Sequence, residues 1–213
     1  MTVTDIRDYK SKQVKVFLDD DFAFVLYKGE LAEYGIKIDS LLQRETYDRI
    51  VGELLVKRAK LRCLKLLTDR PYSEAALRAK LEEGLYPAGV IDDALDYVKS
   101  FGYIDDEAYA RDLYDSLSGR NSVGVIRQKM KQKGISDDII KKCLEDTDRI
   151  RENEDELILS LIGKKSRGEY PVDPEGEAKL FRYLAGKGFS YSRIKTAYAI
   201  YKERLDDEGI GES

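Results

Sequence analysis

The sequence predicts a mainly all-α protein of tandem three-helix repeats in an elongated modular array, with a small β-hairpin at its N-terminus. Two observations carry that prediction. An apolar spacing of +4, +10 and +4 occurs three times, at Leu77, Leu81, Ile91 and Leu95, at Ile126, Met130, Ile140 and Leu144, and at Leu180, Leu184, Ile194 and Tyr198. Each +4 step sets two apolar side chains on one helix face, and each longer gap holds a glycine suited to ending a helix: Gly84, Gly134 and Gly188. The second observation is that period-two alternation, the mark of a half-buried strand, is confined to the N-terminal segment.

In chain order, "QVKVFLDDDFAFVLYKG" reads as the hairpin. Val14 and Val16 alternate with polar residues, Asp19 to Asp21 form an acidic turn, and Phe22, Phe24 and Leu26 alternate with Ala23, Val25 and Tyr27. A lone hairpin is marginal in water, so this one must pack on its helical neighbour or pair elsewhere. "GELAEYG" is a short helix. The stretch from Asp39 to Arg70 reads as one long helix, stopped by Pro71. Each spaced pair of helices then follows an amphipathic helix, marked by Leu61, Leu64 and Leu67, by Ala110, Leu113, Tyr114 and Leu117, and by Leu157, Ile158, Leu161 and Ile162. The expected divisions are residues 1–46 for the hairpin and short helix, 47–102, 103–149 and 150–213 for the three repeats. Gly84 follows its second apolar position by three residues, the other two glycines by four, which predicts a different turn in the first repeat. "KSRGEYPVDPEGE" in the third is a loop or hinge.

Composition excludes much ordinary chemistry. The chain has no histidine, which removes Ser-His-Asp and Cys-His nucleophile systems, His-ligated zinc and His general bases. Cys63 and Cys143 sit beside leucines in helical segments and read as small buried hydrophobes rather than a disulfide. Neither a GxxxxGK[ST] loop nor a GxGxxG turn after a strand is present, so no nucleotide cofactor is expected. No apolar run reaches membrane-spanning length and the N-terminus does not read as a signal peptide, so the expected compartment is the cytoplasm.

The 37 basic and 41 acidic residues leave a net charge of only −4, so clustering matters more than balance. "VKRAKLRCLK" carries Lys57, Arg58, Lys60, Arg62 and Lys65 without an acid; "RQKMKQK" carries Arg127, Lys129, Lys131 and Lys133; "KKSR" supplies Lys164, Lys165 and Arg167. These runs, expected in corresponding parts of the repeats, are the candidate binding residues for a protein partner or DNA. Single runs of charge are more often solvated helix faces. The acidic stretch "FGYIDDEAYARDL" lies at a repeat junction, where Asp105 is a suitable N-cap and Asp106 and Glu107 suit the positive end of the helix dipole. Metal binding or catalysis there would need further converging ligands, which the sequence does not display. Tyr97, Phe101, Tyr109 and Tyr114 read as packing residues.

"RPYSEAALRAKLEEG", "IDDALDYVKSFGYIDDEAYARDLYDS" and "GVIRQKMKQKGISDDIIKKCLED" resemble the RecX family of bacterial regulatory proteins. Its Gly-Tyr-Leu-Asp-Asp element and aromatic-Ala pair are matched by Gly102, Tyr103, Ile104, Asp105, Asp106, Tyr109 and Ala110, and its downstream Gly, Leu and Lys-Gly by Gly124, Met130, Lys133 and Gly134. The match is strongest over residues 70–146. Ile104 and Tyr109 depart mildly from it, as does the shifted Gly84. The resemblance implies tandem three-helix repeats and a monomeric, non-enzymatic regulator, without cofactor or metal. Such a protein would bind the RecA recombinase and its nucleoprotein filament, inhibit strand exchange and ATP hydrolysis, and so act on recombination, DNA repair and the SOS response. The alternative is a helical-repeat protein that binds single-stranded or duplex DNA without recombinase contact.

Overall fold

The structure, a computed structural model, describes residues 1–145, 147–166 and 174–207. The chain divides into two compact units, Met1–Asp105 and Asp106–Ser213.

The first unit opens with an antiparallel sheet of order β1-β2-β3, formed by β1 (Val3–Lys10), β2 (Gln13–Leu18) and β3 (Asp21–Tyr27). The predicted hairpin is β2 and β3; β1 is an addition. "VTDIRDYK" hides its strand character because only Val3 is fully buried, while Arg7, Asp8 and Lys10 face water. Val14, Val16, Leu18, Phe24 and Leu26 point the other way, into the core. After α1 (Lys28–Glu33), residues 39–43 are not helical as expected: Leu41 bridges Thr2, and the Val3 amide donates to Ser40. The long helix starts later, as α2 (Arg44–Arg49), a π-helical segment (Ile50–Leu55) and α3 (Val56–Asp69). The helices α4 (Glu74–Glu82) and α5 (Ala88–Ser100) complete the first repeat. Sheet and repeat share one core, in which Val16 and Phe24 belong with Ile50, Cys63, Leu77, Leu81, Ile91 and Leu95. The sheet thereby obtains the apolar support that a free hairpin lacks.

The second unit holds two three-helix sets, α6 (Asp106–Ser118), α7 (Val123–Gln132) and α8 (Asp137–Cys143), then α9 (Thr147–Ser166), α10 (Pro174–Gly186) and α11 (Tyr191–Asp207). Ile126, Met130 and Ile140 centre one core; Ile158, Ile162, Leu184 and Ile194 centre the other.

The helix ends explain the spacing. After α7 and α10 the amide five residues on bonds back across the turn: Ile135 to Met130 at 3.1 Å and Phe189 to Leu184 at 3.4 Å. Gly134 at φ +79° and Gly188 at φ +89° supply the left-handed residue these turns need. After α4 the same turn forms, with Tyr86 bonded to Leu81, but the left-handed residue is Leu85 at φ +59°, not Gly84. The turn geometry is conserved across the repeats and the glycine is displaced. Gly84 is required for closeness instead, since a Cβ there would lie 2.9 Å from the Tyr86 ring.

Candidate interaction faces

The basic runs correspond only in part: two lie on the first helix of their sets and one on the second, which corrects the expectation for the middle repeat. Lys57, Arg58, Arg62 and Lys65 lie on α3, the first helix of its set; Arg127, Lys129 and Lys131 lie on α7, the second helix of its set, with Lys133 at its end; Lys164 and Lys165 end α9, again a first helix. Arg167 lies outside the described residues.

Their freedom differs as well. Lys57, Arg62 and Lys65 are exposed. Arg58 is committed inside the fold: its guanidinium is largely buried against Glu30, donates to the Val25 carbonyl and covers the Tyr27 ring at 4.7 Å. It ties α3 to the sheet and α1. On α7, Ile126 and Met130 are buried as predicted, and Arg127 is exposed with no ion pair among the described residues. Lys129 is half-buried and donates to Asn121 at 3.2 Å, while Lys131 pairs with Asp137 at 2.7 Å and Lys133 is exposed. Lys164 and Lys165 are exposed, the latter 5.3 Å from the Tyr183 ring centre.

Gly102, Tyr103, Asp105, Asp106, Tyr109 and Ala110 lie between the end of α5 and the first turns of α6. Gly102 takes φ +69° and closes α5, with the Tyr103 amide bonded to Val98. Asp105 immediately precedes α6, Asp106 and Glu107 fill its first turn, and Ala110 is fully buried. Among the described residues no His, Cys, Asp or Glu side chains gather in a group able to hold a metal ion. Asp105→Ala should cost about 1 kcal/mol of stability in urea unfolding through the lost cap position.

Two expectations about apolar residues diverge. Phe101 is 59% exposed, stacked on Tyr103 at 5.9 Å and tilted against Tyr97 at 5.0 Å, whereas Tyr114 is buried as predicted. Packing periodicity runs out at Phe101 because it is the last residue before the turn. Cys63 is fully buried, Cys143 half-buried, and both are free thiols. Burial pushes the Cys63 thiol up to about 11, with Arg62 opposing weakly. Its thiol should resist an aromatic disulfide reagent at neutral pH until the chain is unfolded. The neutral form is the one that fits the core, so the stability it contributes is intact below about pH 9 and is lost as pH rises towards 11. Urea midpoints across that range check the sign, with Cys63→Ala removing this part of the pH dependence.

A contact set missing from the sequence reading joins the two helix sets of the second unit. Ser122, fully buried, caps α7 by accepting from the Val125 amide at 3.4 Å and donates to the Lys187 carbonyl at 3.1 Å. The Val123 amide donates to Glu154 of α9 at 3.0 Å. Arg193 of α11 lies 3.5 Å from Glu154 and 3.2 Å from Asp155, and donates to the Arg151 carbonyl at 2.7 Å. The signal for the cap was present, a Ser before an apolar run, but its second partner is 65 positions away.

Three domains of one family match in order: the first three-helix domain of RecX over residues 59–97, the second over 105–144 and the third over 152–198. The regulatory protein RecX of Clostridium botulinum (strain Eklund 17B / Type B) is 28% identical over 98% of this chain and 97% of its own length; that of Clostridium perfringens (strain 13 / Type A) is 28% identical over 90% and 91%. A crystal structure of regulatory protein RecX superposes with a TM-score of 0.61 at 24% identity, covering 95% of this chain and 98% of the other. That of RecX from Lactobacillus salivarius gives 0.59 at 22%, over 70% and 97%; both likenesses are of fold. No described helix is long and apolar enough to cross a membrane. Three family domains in tandem on three helix sets, with relatives matched end to end, place this chain in the RecX family of regulatory proteins.

Proposed function

We propose that the protein binds the RecA recombinase and its nucleoprotein filament and inhibits filament ATP hydrolysis and recombination, as a cytoplasmic monomer without enzymatic activity. The observation that carries the reading is the exposed basic face of α7, held on a rigid helix whose opposite side, Ile126 and Met130, is locked in a core. A face fixed in this way suits a long, charged, repetitive partner better than a small substrate. Lys57, Arg62, Lys65, Lys164 and Lys165 extend the same chemistry on the other helix sets, and the division of labour follows residues 47–102, 103–149 and 150–213.

Adding the protein to recombinase preassembled on single-stranded DNA should slow ATP hydrolysis and shorten filaments. No change over a wide concentration range sinks the reading. Arg127→Glu with Lys131→Glu should weaken the effect. If these side chains meet phosphates, the variant should also show a shallower dependence of log affinity on log salt, by roughly one unit per lost contact. Tight binding to naked DNA with no effect on preformed filaments would favour direct DNA competition instead.

A further inference from the structure

We infer that the solvent-facing side of the N-terminal sheet is a binding platform for single-stranded nucleic acid. One face of the sheet is committed to the core. The other is covered at Val25, the buried ladder partner of Lys15, beside Arg58, and elsewhere carries Arg7 and Tyr9 of β1, Lys15 and Phe17 of β2, and Phe22 at the start of β3, with Lys10 at the β1 end. Phe22 is 41% exposed; Tyr9, Lys15 and Phe17 are half-exposed. Rings and cations interleave there. Arg7 lies 4.4 Å over the Phe17 ring, Lys10 and Lys15 lie 4.7 and 4.8 Å from the Tyr9 ring centre, and Phe17 meets Phe22 edge-on at 5.9 Å.

Two features make this more than a solvated strand face. Arg7 and Lys15 are direct partners across the ladder, a like-charge pair that destabilises a sheet and that an anion laid across it would relieve. The carboxylate on this face, Asp5, pairs with Arg7 alone, leaving Lys10 and Lys15 with rings for neighbours. The acidic turn is partly occupied, since Asp19 accepts from the Thr2 amide, and it would direct a polyanion towards the Lys10 end. Aromatic planes for bases beside cations for phosphates describe a single strand. A duplex keeps its base faces stacked away, and an acidic peptide would use the cations and leave the rings idle. The 8 residues of β1, at about 3.3 Å each, span roughly 26 Å, room for on the order of four nucleotides. The platform stands on its own geometry, whether or not a recombinase is the partner of α7.

The chain has no tryptophan, so Phe22→Trp places a single fluorescent reporter on the face. Titration of the full chain with an unlabelled oligothymidine of about 20 nucleotides should quench the indole, with a midpoint that weakens as salt is raised. In the wild-type background, measured by anisotropy of a labelled oligonucleotide, Tyr9→Ala and Arg7→Gln should each weaken binding about tenfold, and Tyr9→Phe should preserve it. Circular dichroism melts must show that these variants fold. Absence of quenching, equal quenching by polyglutamate, or oligonucleotide affinity that survives Tyr9→Ala and Arg7→Gln while falling with Arg127→Glu would each overturn the assignment.

Discussion

Gly188→Ala should remove about 3 kcal/mol from the stability of the second unit. The φ of +89° costs an L side chain roughly 1–2 kcal/mol, and the new Cβ would sit 2.6 Å from the Oγ of the buried Ser122 and 3.0 Å from a methyl of the half-buried Val125, an overlap that costs about 1–3 kcal/mol more. Ser122→Ala approaches the same spot from the other side. It removes a cap worth about 1 kcal/mol and strips the Lys187 carbonyl of its donor. Because the two residues share one contact, the double variant should cost less than the sum. Urea unfolding measures all three, and a loss below about 1 kcal/mol for Gly188→Ala would mean that the turn simply moves aside.

Arg193→Ala should cost a similar amount, about 3 kcal/mol, because it leaves charge behind. Glu154 and Asp155 are mostly buried, and removing the cation from such a group strands carboxylates that water does not reach freely. Asp155 Oδ1 already has no hydrogen-bond partner; Arg193 at 3.2 Å supplies attraction without hydrogen-bond geometry. Arg193→Lys should recover less than half of the loss, since one ammonium cannot reach Glu154, Asp155 and the Arg151 carbonyl together as the planar fork does. Adding Asp155→Asn to Arg193→Ala should restore part of the stability by deleting the stranded charge. If Asp155→Asn makes Arg193→Ala worse, the cost arises from packing rather than charge.

Where the physics is periodic and local, the fold was legible. Leu77, Leu81, Ile91 and Leu95 are all buried, as are Leu180, Leu184, Ile194 and Tyr198; in the middle repeat only Leu144 falls short, because α8 stops at Cys143 and leaves it at the helix end. What the sequence concealed depends on partners distant in the chain. β1 has too few apolar residues to look like a strand, yet it is held through the ladder to β2 and the bridge from Thr2 to Leu41. The basic runs were visible as charge, but which cations are committed internally was not. Arg58 belongs to Glu30, 28 positions away, while Arg127 has no such tie among the described residues. The aromatic face of the sheet was hidden for the same reason: reading Tyr9, Phe17 and Phe22 as one surface requires the third strand.

The π-helical segment from Ile50 to Leu55 keeps the helix in phase with its core. Ile50 at its start, and Ala59 and Cys63 beyond it on α3, all face the one core that sheet and repeat share. A wider turn absorbs about one residue more than α geometry over the same rotation, so deleting Gly52, which lies on its exposed side, would let the stretch rewind as α-helix with Ile50 and α3 both kept in phase. The same deletion within α3, where no extra residue is stored, would rotate its two ends against each other by about 100°. The segment is thus one residue of slack in the chain, and the core on either side of it tolerates a length change there that it would not tolerate a turn later.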